Sequence, residues 1–133
     1  MITLVDSNVL LDVLTDDPVW AERSRAAIER AADEGRLAIN PIVYAEVSVG
    51  YERVEELEAA LPPDEFTRLP LPWAAGFLAG KCFQRYRRAG GKRRSPLPDF
   101  YIGAHAAVEG LTLLTRDARL YRTYLPRLSV STP

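Results

Sequence analysis

Short apolar segments with the composition of buried strands alternate with longer segments of helical composition along this chain. Strands are expected at residues 2–5, 37–39, 66–69 and 111–115, with a weaker fifth strand at 128–130. Strands that alternate with helices form a parallel sheet whose two faces are covered by the connecting helices. The sequence therefore predicts an α/β fold of three layers, α/β/α, with a mainly parallel central sheet of four to five strands.

Two polar residues that directly precede a proline indicate where helices begin. Asp17 and Asn40 can each cap a helix with a side-chain oxygen, and Pro18 and Pro41 have the fixed φ that suits the first helical position. Helices are expected at residues 9–14, 20–32, 41–50, 52–61, 73–88 and 99–108. No helix is predicted between the fourth and fifth strands.

Length and composition limit the class of protein. The chain has 133 residues, of which 47% are hydrophobic and 26% charged, which is typical of a globular protein. We expect one domain over residues 1–133. Because no apolar run could span a bilayer and no signal peptide is evident, we expect a cytoplasmic protein with no membrane partner.

Scarce cysteine and histidine restrict the metal chemistry. Cys82 is the only cysteine and His105 the only histidine, which excludes an intramolecular disulfide, a Cys-rich zinc site and a His-ligated zinc hydrolase. Any metal must therefore be held mainly by oxygen. We expect Cys82 in the core, His105 as a structural or surface residue, and Trp20 and Trp73 as packing anchors rather than base-stacking platforms.

Four carboxylates occupy positions from which one site could gather them. They are Asp6, Glu46, Asp99 and Asp117. Asp6 and Asp117 come just after predicted strands, and ligands of parallel sheets bind at the carboxyl ends of the strands. Asp99 lies in the first turn of a predicted helix, where the helix dipole favours a negative charge. The order of these segments indicates a common acidic site.

Helical spacing indicates the directions of two of these acids. Ile42, Glu46 and Val49 are expected to share one inward face, which gives Glu46 apolar neighbours. Asp99 shares a face with Gly103 and with other small residues, which would let that helix approach the sheet closely. Glu46 could alternatively pair with an arginine, and each of the other three acids could be only a turn former or a helix cap.

Converging carboxylates need a cation. Two unit charges ~4 Å apart repel by roughly 4 kcal/mol at an effective dielectric constant of about 20, and Mg²⁺ or Mn²⁺ prefers such oxygen ligands. A cation of this kind polarises a phosphate oxygen and lowers the pKa of a bound water, which suits phosphodiester hydrolysis. The remaining acids of the first helices, Asp12 among them, are expected to be caps or to lie on solvated faces.

Basic residues are concentrated in one segment even though the formal net charge is only -1. The segment contains Lys81, Arg85, Arg87, Arg88, Lys92, Arg93 and Arg94. Lysine and arginine at phosphates supply most of the sequence-independent affinity for nucleic acid, and a solvated helix end is the alternative. The residues proposed for RNA binding are Arg85, Arg88, Lys92, Arg93, Arg94 and Arg116, although Arg116 could instead pair with a nearby acid.

Four segments in this order resemble the PIN domain, and specifically the VapC-type ribonuclease toxin of type II toxin–antitoxin systems. They are Val5-Asp6-Ser7-Asn8-Val9-Leu10, Pro41-Ile42-Val43-Tyr44-Ala45-Glu46-Val47, Pro98-Asp99-Phe100-Tyr101-Ile102-Gly103-Ala104-His105-Ala106 and Leu113-Leu114-Thr115-Arg116-Asp117. The resemblance spans essentially the whole chain. The proline-flanked basic segment before Asp99 is less typical of the family.

The resemblance implies a Mg²⁺- or Mn²⁺-dependent endoribonuclease. It assigns the acidic site to Asp6, Glu46, Asp99 and Asp117, with Asn8 and Thr115 in support. It also implies structured RNA such as tRNA as the substrate, inhibition by a cognate VapB-type antitoxin, and a homodimer. The alternatives are a PIN-like RNA-processing nuclease without an antitoxin and, less consistent with the segments, a Mg²⁺-binding signalling receiver domain.

Overall fold

Five strands form one sheet in this computed structural model, which describes residues 1–133. They are β1 (Ile2–Val5), β2 (Arg36–Ile39), β3 (Phe66–Arg68), β4 (Thr112–Leu114) and β5 (Val130–Ser131). Their order across the sheet is β3-β2-β1-β4-β5, and all neighbouring strands are parallel. The predicted parallel sheet is confirmed. Its order differs from the 2-1-3-4-5 order of receiver domains.

Seven helices accompany the sheet. They are α1 (Ser7–Leu14), α2 (Ala21–Glu34), α3 (Pro41–Ser48), α4 (Val54–Ala60), α5 (Trp73–Arg88), α6 (Pro98–Glu109) and α7 (Ala118–Tyr124). The predicted three-layer α/β/α architecture is confirmed, while α7 was absent from the prediction. None of these helices combines the length and apolar character needed to cross a membrane.

The core is built around the central strand. Leu4 and Val5 of β1 are fully buried because β2 and β4 flank this strand and helices pack on both faces of the sheet. They belong to one cluster of 25 buried hydrophobic residues that also includes Cys82, as predicted. Burying a side chain of this size contributes about 1.5–3 kcal/mol, so this cluster holds the carboxyl edge of the sheet in place.

The two predicted helix starts have different outcomes. Asn40 caps α3, since its Oδ1 accepts a hydrogen bond of 2.9 Å from the backbone N–H of Val43. Asp17 instead accepts hydrogen bonds of 2.9 Å from the N–H groups of Val19 and Trp20. These bonds cap a turn that leads directly into α2, because the Asp17 carbonyl also accepts from the backbone N–H of Ala21, the first residue of that helix, at 3.0 Å.

The inward face predicted for α3 is partly wrong. The fully buried residues of this helix are Val43 and Val47, one turn apart, whereas Val49 is 87% exposed. The helix ends at Ser48, so Val49 lies beyond its last turn and is not held against the core. Glu46 is half-buried at the side of the buried face.

Two further packing predictions need correction. Trp73 is not a packing anchor in this chain, because it begins α5 on the outer surface and is 95% exposed. Gly103 of α6 does permit a close approach, but of a helix rather than of the sheet. A Cβ at Gly103 would lie 2.7 Å from side-chain atoms of both Tyr121 and Leu125, which belong to α7 and its C-terminal cap.

Candidate metal centre

Three carboxylates from separate parts of the chain meet in one cluster. Asp6, Glu46 and Asp99 each offer an oxygen atom, and these atoms lie within 4.8 Å of one another. Asp6 follows β1 and is the N-cap of α1, Glu46 is on α3, and Asp99 is in the first turn of α6. The cluster therefore lies at the carboxyl edge of the sheet.

Asp6 is buried and held by hydrogen bonds on both carboxylate oxygens. Its Oδ1 accepts from the backbone N–H of Ser7 at 2.7 Å. Its Oδ2 accepts from the hydroxyls of Thr115 at 2.8 Å and of Tyr121 at 3.0 Å. The amide of Asn8 lies farther away, at 3.5 Å from Oδ2. These donors fix the direction in which the carboxylate points.

The carboxylates of Glu46 and Asp99 have no cationic partner. Glu46 accepts a hydrogen bond of 2.9 Å from the Ser7 hydroxyl. The four ion pairs of the chain involve other acids, so no lysine or arginine neutralises the cluster. The alternative pairing of Glu46 with an arginine is therefore not found.

The electrostatics of the cluster reflect this lack of a cation. Burial is the main cause that raises the pKa of Asp6 and of Glu46 above their ordinary values. Burial, followed by repulsion from the neighbouring carboxylates, raises the pKa of Asp99 to about 6. Three acids whose charged forms are disfavoured in one place make a site that a divalent cation would stabilise.

Asp117 lies at the margin of the cluster. It is exposed and is the N-cap residue of α7, and its backbone N–H donates to Thr115 Oγ1 at 3.0 Å. Its charge contributes to the raised pKa of Asp6 and of Asp99, but its carboxylate is not among the three that converge. Thr115 therefore connects the N-terminus of α7 with Asp6.

Asn8 connects the same two parts of the chain. Its Nδ2 donates to Thr115 Oγ1 at 3.3 Å, and its Oδ1 accepts from the backbone N–H of Arg116 at 3.1 Å. The segment after β4 is thus attached to the start of α1. Both proposed supporting residues, Asn8 and Thr115, lie beside Asp6.

Arg116 pairs with a buried acid. Its Nε lies 2.9 Å from Asp12 Oδ2, and the Ser24 hydroxyl donates to the same oxygen at 2.7 Å. The guanidinium also lies 4.8 Å from the centre of the half-buried Trp20 ring. Asp12 is only 3% exposed, so its expected place on a solvated face is wrong: the two helices α1 and α2 enclose it.

The basic segment lies at the same edge of the molecule as Asp99. It forms the C-terminal part of α5 and the connection to α6, and all seven cations are exposed. None of them forms an ion pair. Arg85 donates to the carbonyl oxygen of Tyr124 at 2.5 Å and Arg87 to that of Arg93 at 2.7 Å. Most of the donors of these seven side chains remain free for phosphates.

His105 has a structural environment away from the cluster. It is fully buried, with Nδ1 3.1 Å from the amide nitrogen of Asn40 and Nε2 3.1 Å from a carboxylate oxygen of Glu109. These contacts join α6 to the capping residue of α3. Of the two expected environments, structural and surface, it therefore has the structural one.

Two residues at the cluster were missed from the sequence. The sequence pattern assigned no role to Ser7, although this residue directly follows Asp6. Tyr121 lies on α7, a helix that was not predicted. A signal for that helix exists, because Ala118, Tyr121 and Leu125 are spaced as one helical face after a possible capping residue, Asp117.

Comparison with known proteins agrees with this geometry. A family model of the PIN domain matches residues 3–125. The chain is similar to the VapBC2 complex of Rickettsia felis bound to a promoter DNA fragment, with 20% identity, a TM-score of 0.76 and coverage of 100% of this chain and 99% of that chain. No curated protein matches the chain.

Two further solved structures have the same fold. VapBC-1 of nontypeable Haemophilus influenzae is 19% identical, with a TM-score of 0.74 and coverage of 99% of this chain and 98% of that one. FitAcB of Neisseria gonorrhoeae is 23% identical, with a TM-score of 0.72 and coverage of 98% and 96%. The fold and the cluster define a parallel α/β domain with an acidic centre. The chain belongs to the PIN domain family, whose members are nucleases.

Proposed function

We propose that this chain is a Mg²⁺- or Mn²⁺-dependent endoribonuclease and the toxin of a toxin–antitoxin pair. The observation that carries the proposal is the convergence of Asp6, Glu46 and Asp99 without a cationic partner. Oxygen donors of this kind suit a hard divalent cation. PIN family membership supports nuclease chemistry at this cluster.

Each residue of the site has a defined part in this proposal. Asp6, Glu46 and Asp99 would hold the cation, and Asp117 would act directly, through water or through a second ion. The cation, when bound, supplies the Lewis acid that polarises the scissile phosphate and acidifies water. Thr115 orients Asp6, and Ser7 orients Glu46. The proposed reaction is direct hydrolysis, with no covalent enzyme intermediate.

RNA would be held by the basic segment and by the margin of the acidic cluster. The proposed phosphate-binding residues are Arg85, Arg88, Lys92, Arg93, Arg94 and Arg116. Exposure and the lack of acidic partners support this role for those in the basic segment. Arg116 uses Nε for Asp12, and an arginine has five N–H donors, so its remaining donors suit a phosphate.

Regulation by an antitoxin is supported by the similar structures. The VapBC and FitAB structures include complexes bound to DNA, and a similar structure from Klebsiella pneumoniae is a toxin–antitoxin complex. Large apolar side chains of this chain are also exposed, notably Trp73 at 95% and Phe77 at 71%. Protein partners cover such surfaces. We therefore propose a VapB-type antitoxin and a homodimer. The substrate that we propose is structured RNA such as tRNA.

The direct test is cleavage by antitoxin-free protein. Total tRNA and an unstructured RNA would be incubated with Mn²⁺ or Mg²⁺, and then with EDTA. Asp99→Asn should reduce cutting by more than about 100-fold, which exceeds the usual effect of losing a residue that only supports a metal ligand. The matched control is Asp33→Asn, at an exposed position of α2, which should cut at the wild-type rate.

Each part of the proposal has a result that would contradict it. Cutting that survives EDTA, or that Asp99→Asn retains in full, would refute the metal-dependent nuclease. Preference for the unstructured RNA would refute the tRNA-like substrate. Cutting that is unaffected by a small DNA-binding protein encoded beside this chain would favour a PIN-like RNA-processing nuclease without an antitoxin.

A further inference from the structure

Tyr121 places a hydroxyl group inside the acidic cluster from a helix that carries no other buried polar side chain. Its ring is buried, and the hydroxyl donates to Asp6 Oδ2 at 3.0 Å. The residue lies four positions after Asp117, the N-cap residue of α7.

The hydrogen bonds of Asp6 divide its two oxygens into different environments. Oδ2 accepts two short hydrogen bonds, from Thr115 at 2.8 Å and from Tyr121. Two such donors occupy both lone pairs of a carboxylate oxygen. Oδ1 accepts one short bond, from the backbone N–H of Ser7 at 2.7 Å. The Ser7 hydroxyl lies 3.5 Å from Oδ1, but its shorter bond, at 2.9 Å, goes to Glu46. The well-formed bonds therefore leave a lone pair available mainly on Oδ1.

A second, independent feature shows that the fold makes room for this tyrosine. Gly103 lies in the middle of α6, where a glycine costs about 1 kcal/mol relative to alanine. A Cβ at this position would lie 2.7 Å from Tyr121 Cδ1 and 2.9 Å from Tyr121 Cε1. Only a residue without a side chain lets the Tyr121 ring pass between α6 and α7 to reach Asp6.

We propose that Tyr121 is a positioning residue of the metal centre, which acts by fixing Asp6 so that Oδ1 faces the cation. The inference rests on the proposed function, because it requires a cation at the acidic cluster. A hydroxyl group that already holds a metal ligand in its orientation leaves the ligand less rotational freedom to lose when the metal binds. Tyr121 and Thr115 share this task from opposite ends of the segment that follows β4.

The test is the affinity of the metal-free protein for Mn²⁺, measured by calorimetry after removal of divalent ions. Tyr121→Phe deletes only the hydroxyl and keeps the ring in its space. We expect the dissociation constant for Mn²⁺ to increase 10- to 100-fold, the range found for groups that orient metal ligands. The matched control is Tyr124→Phe on the same helix, because the Tyr124 ring packs against Phe100 and Tyr86 and its hydroxyl forms no hydrogen bond to the cluster. It should bind Mn²⁺ like the wild type.

Thermal unfolding separates positioning from a merely structural role. If Tyr121 only stabilised the fold, Tyr121→Phe would lower the unfolding midpoint equally with and without Mn²⁺, and the folded protein would keep its affinity. That result would overturn the inference. Positioning predicts a smaller rise of the midpoint on addition of Mn²⁺ in Tyr121→Phe than in the wild type, a readout that remains measurable in a destabilised variant.

The outcomes also distinguish this inference from the proposed function. A wild-type protein that binds no Mn²⁺ would refute the metal centre itself, and the role of Tyr121 would fall with it. Wild-type binding together with equal binding by folded Tyr121→Phe would refute only the role of Tyr121. Wild-type binding with a weakened Tyr121→Phe and an unchanged Tyr124→Phe would support both.

Discussion

Individual polar residues in the interior of this protein are satisfied by partners from distant parts of the chain. Every buried side-chain nitrogen and oxygen has a hydrogen-bond partner. Asp12 is the clearest case, because its buried carboxylate accepts from Ser24 and pairs with Arg116. A buried carboxylate without partners would cost several kcal/mol. The pairing holds the Arg116 side chain against α1. A second contact, from the Arg116 backbone N–H to Asn8 Oδ1, holds this residue beside the acidic cluster.

Removing the Asp12 carboxylate should therefore destabilise the protein. Asp12→Ala leaves the Ser24 hydroxyl and the Arg116 guanidinium without their partner, and we expect a loss of about 2–4 kcal/mol in the free energy of unfolding. Urea denaturation measures this loss. Asp33→Ala, at an exposed position of α2, is the control and should stay within about 0.5 kcal/mol of the wild type. A loss below about 1 kcal/mol in Asp12→Ala would show that the pair contributes little.

At the scale of elements, local signals predicted some helices and failed for another. Asn40 before Pro41 is a complete capping signal, and α3 begins there. The seven-residue helix α7 has no capping hydrogen bond from a side chain, and a helix this short is stable only through tertiary packing. Its contacts with Gly103 depend on the arrangement of α6, which the sequence does not reveal. The spacing of Ala118, Tyr121 and Leu125 is a local signal for the helix, but the contact of Tyr121 with Asp6 depends on this packing and could not be predicted.

The junction between α5 and α6 should determine affinity for RNA. Changing Arg88 and Arg94 together to Gln removes two charges from the segment that precedes Asp99, and we expect weaker RNA binding with a salt dependence reduced by up to about 2 in log–log slope. Arg30 and Arg36 are matched controls, because they are exposed and lie near the amino edge of the sheet. Filter binding over a salt series provides the measurement. Equal losses in both double variants would show that only net charge matters.

At the scale of the whole molecule, topology explains why the acidic site was foreseeable. The carboxyl ends of parallel strands meet at one edge, so Asp6 after the central strand could be expected near the start of α6. The distances that separate Asp117 from the other three acids depend on side-chain packing and were not predictable. Burial depends on packing in the same way. Asp12 was expected on a solvated face and is buried, whereas Trp73 was expected as a packing anchor and is exposed.

The acidic cluster should also make the stability of the metal-free protein depend on pH. The pKa of Asp99 is raised to about 6 from an ordinary value near 3.8, so the folded state binds this proton more tightly than the unfolded state. The resulting stabilisation is present below about pH 4 and is lost as the pH rises through about 6. Asp6 and Glu46, whose pKa values are also raised, act in the same direction.

Asp99→Asn should remove most of this dependence in the presence of EDTA. At pH 7 the variant should be more stable than the wild type by about 1–2 kcal/mol, after allowance for partial solvent screening of the half-buried side chain. Chemical denaturation at several pH values measures the difference. A metal-free wild type that instead gains stability relative to Asp99→Asn between pH 4 and pH 7 would contradict this prediction.

The most direct measurement is a crystal structure of the protein grown with Mn²⁺, with diffraction data that record the anomalous signal of manganese. We expect an anomalous peak within about 2.0–2.5 Å of oxygens from Asp6, Glu46 and Asp99, and no such peak in crystals of Asp99→Asn. Manganese absent from this cluster at millimolar concentration, with a lysine or arginine folded over the three acids in its place, would contradict the central claim.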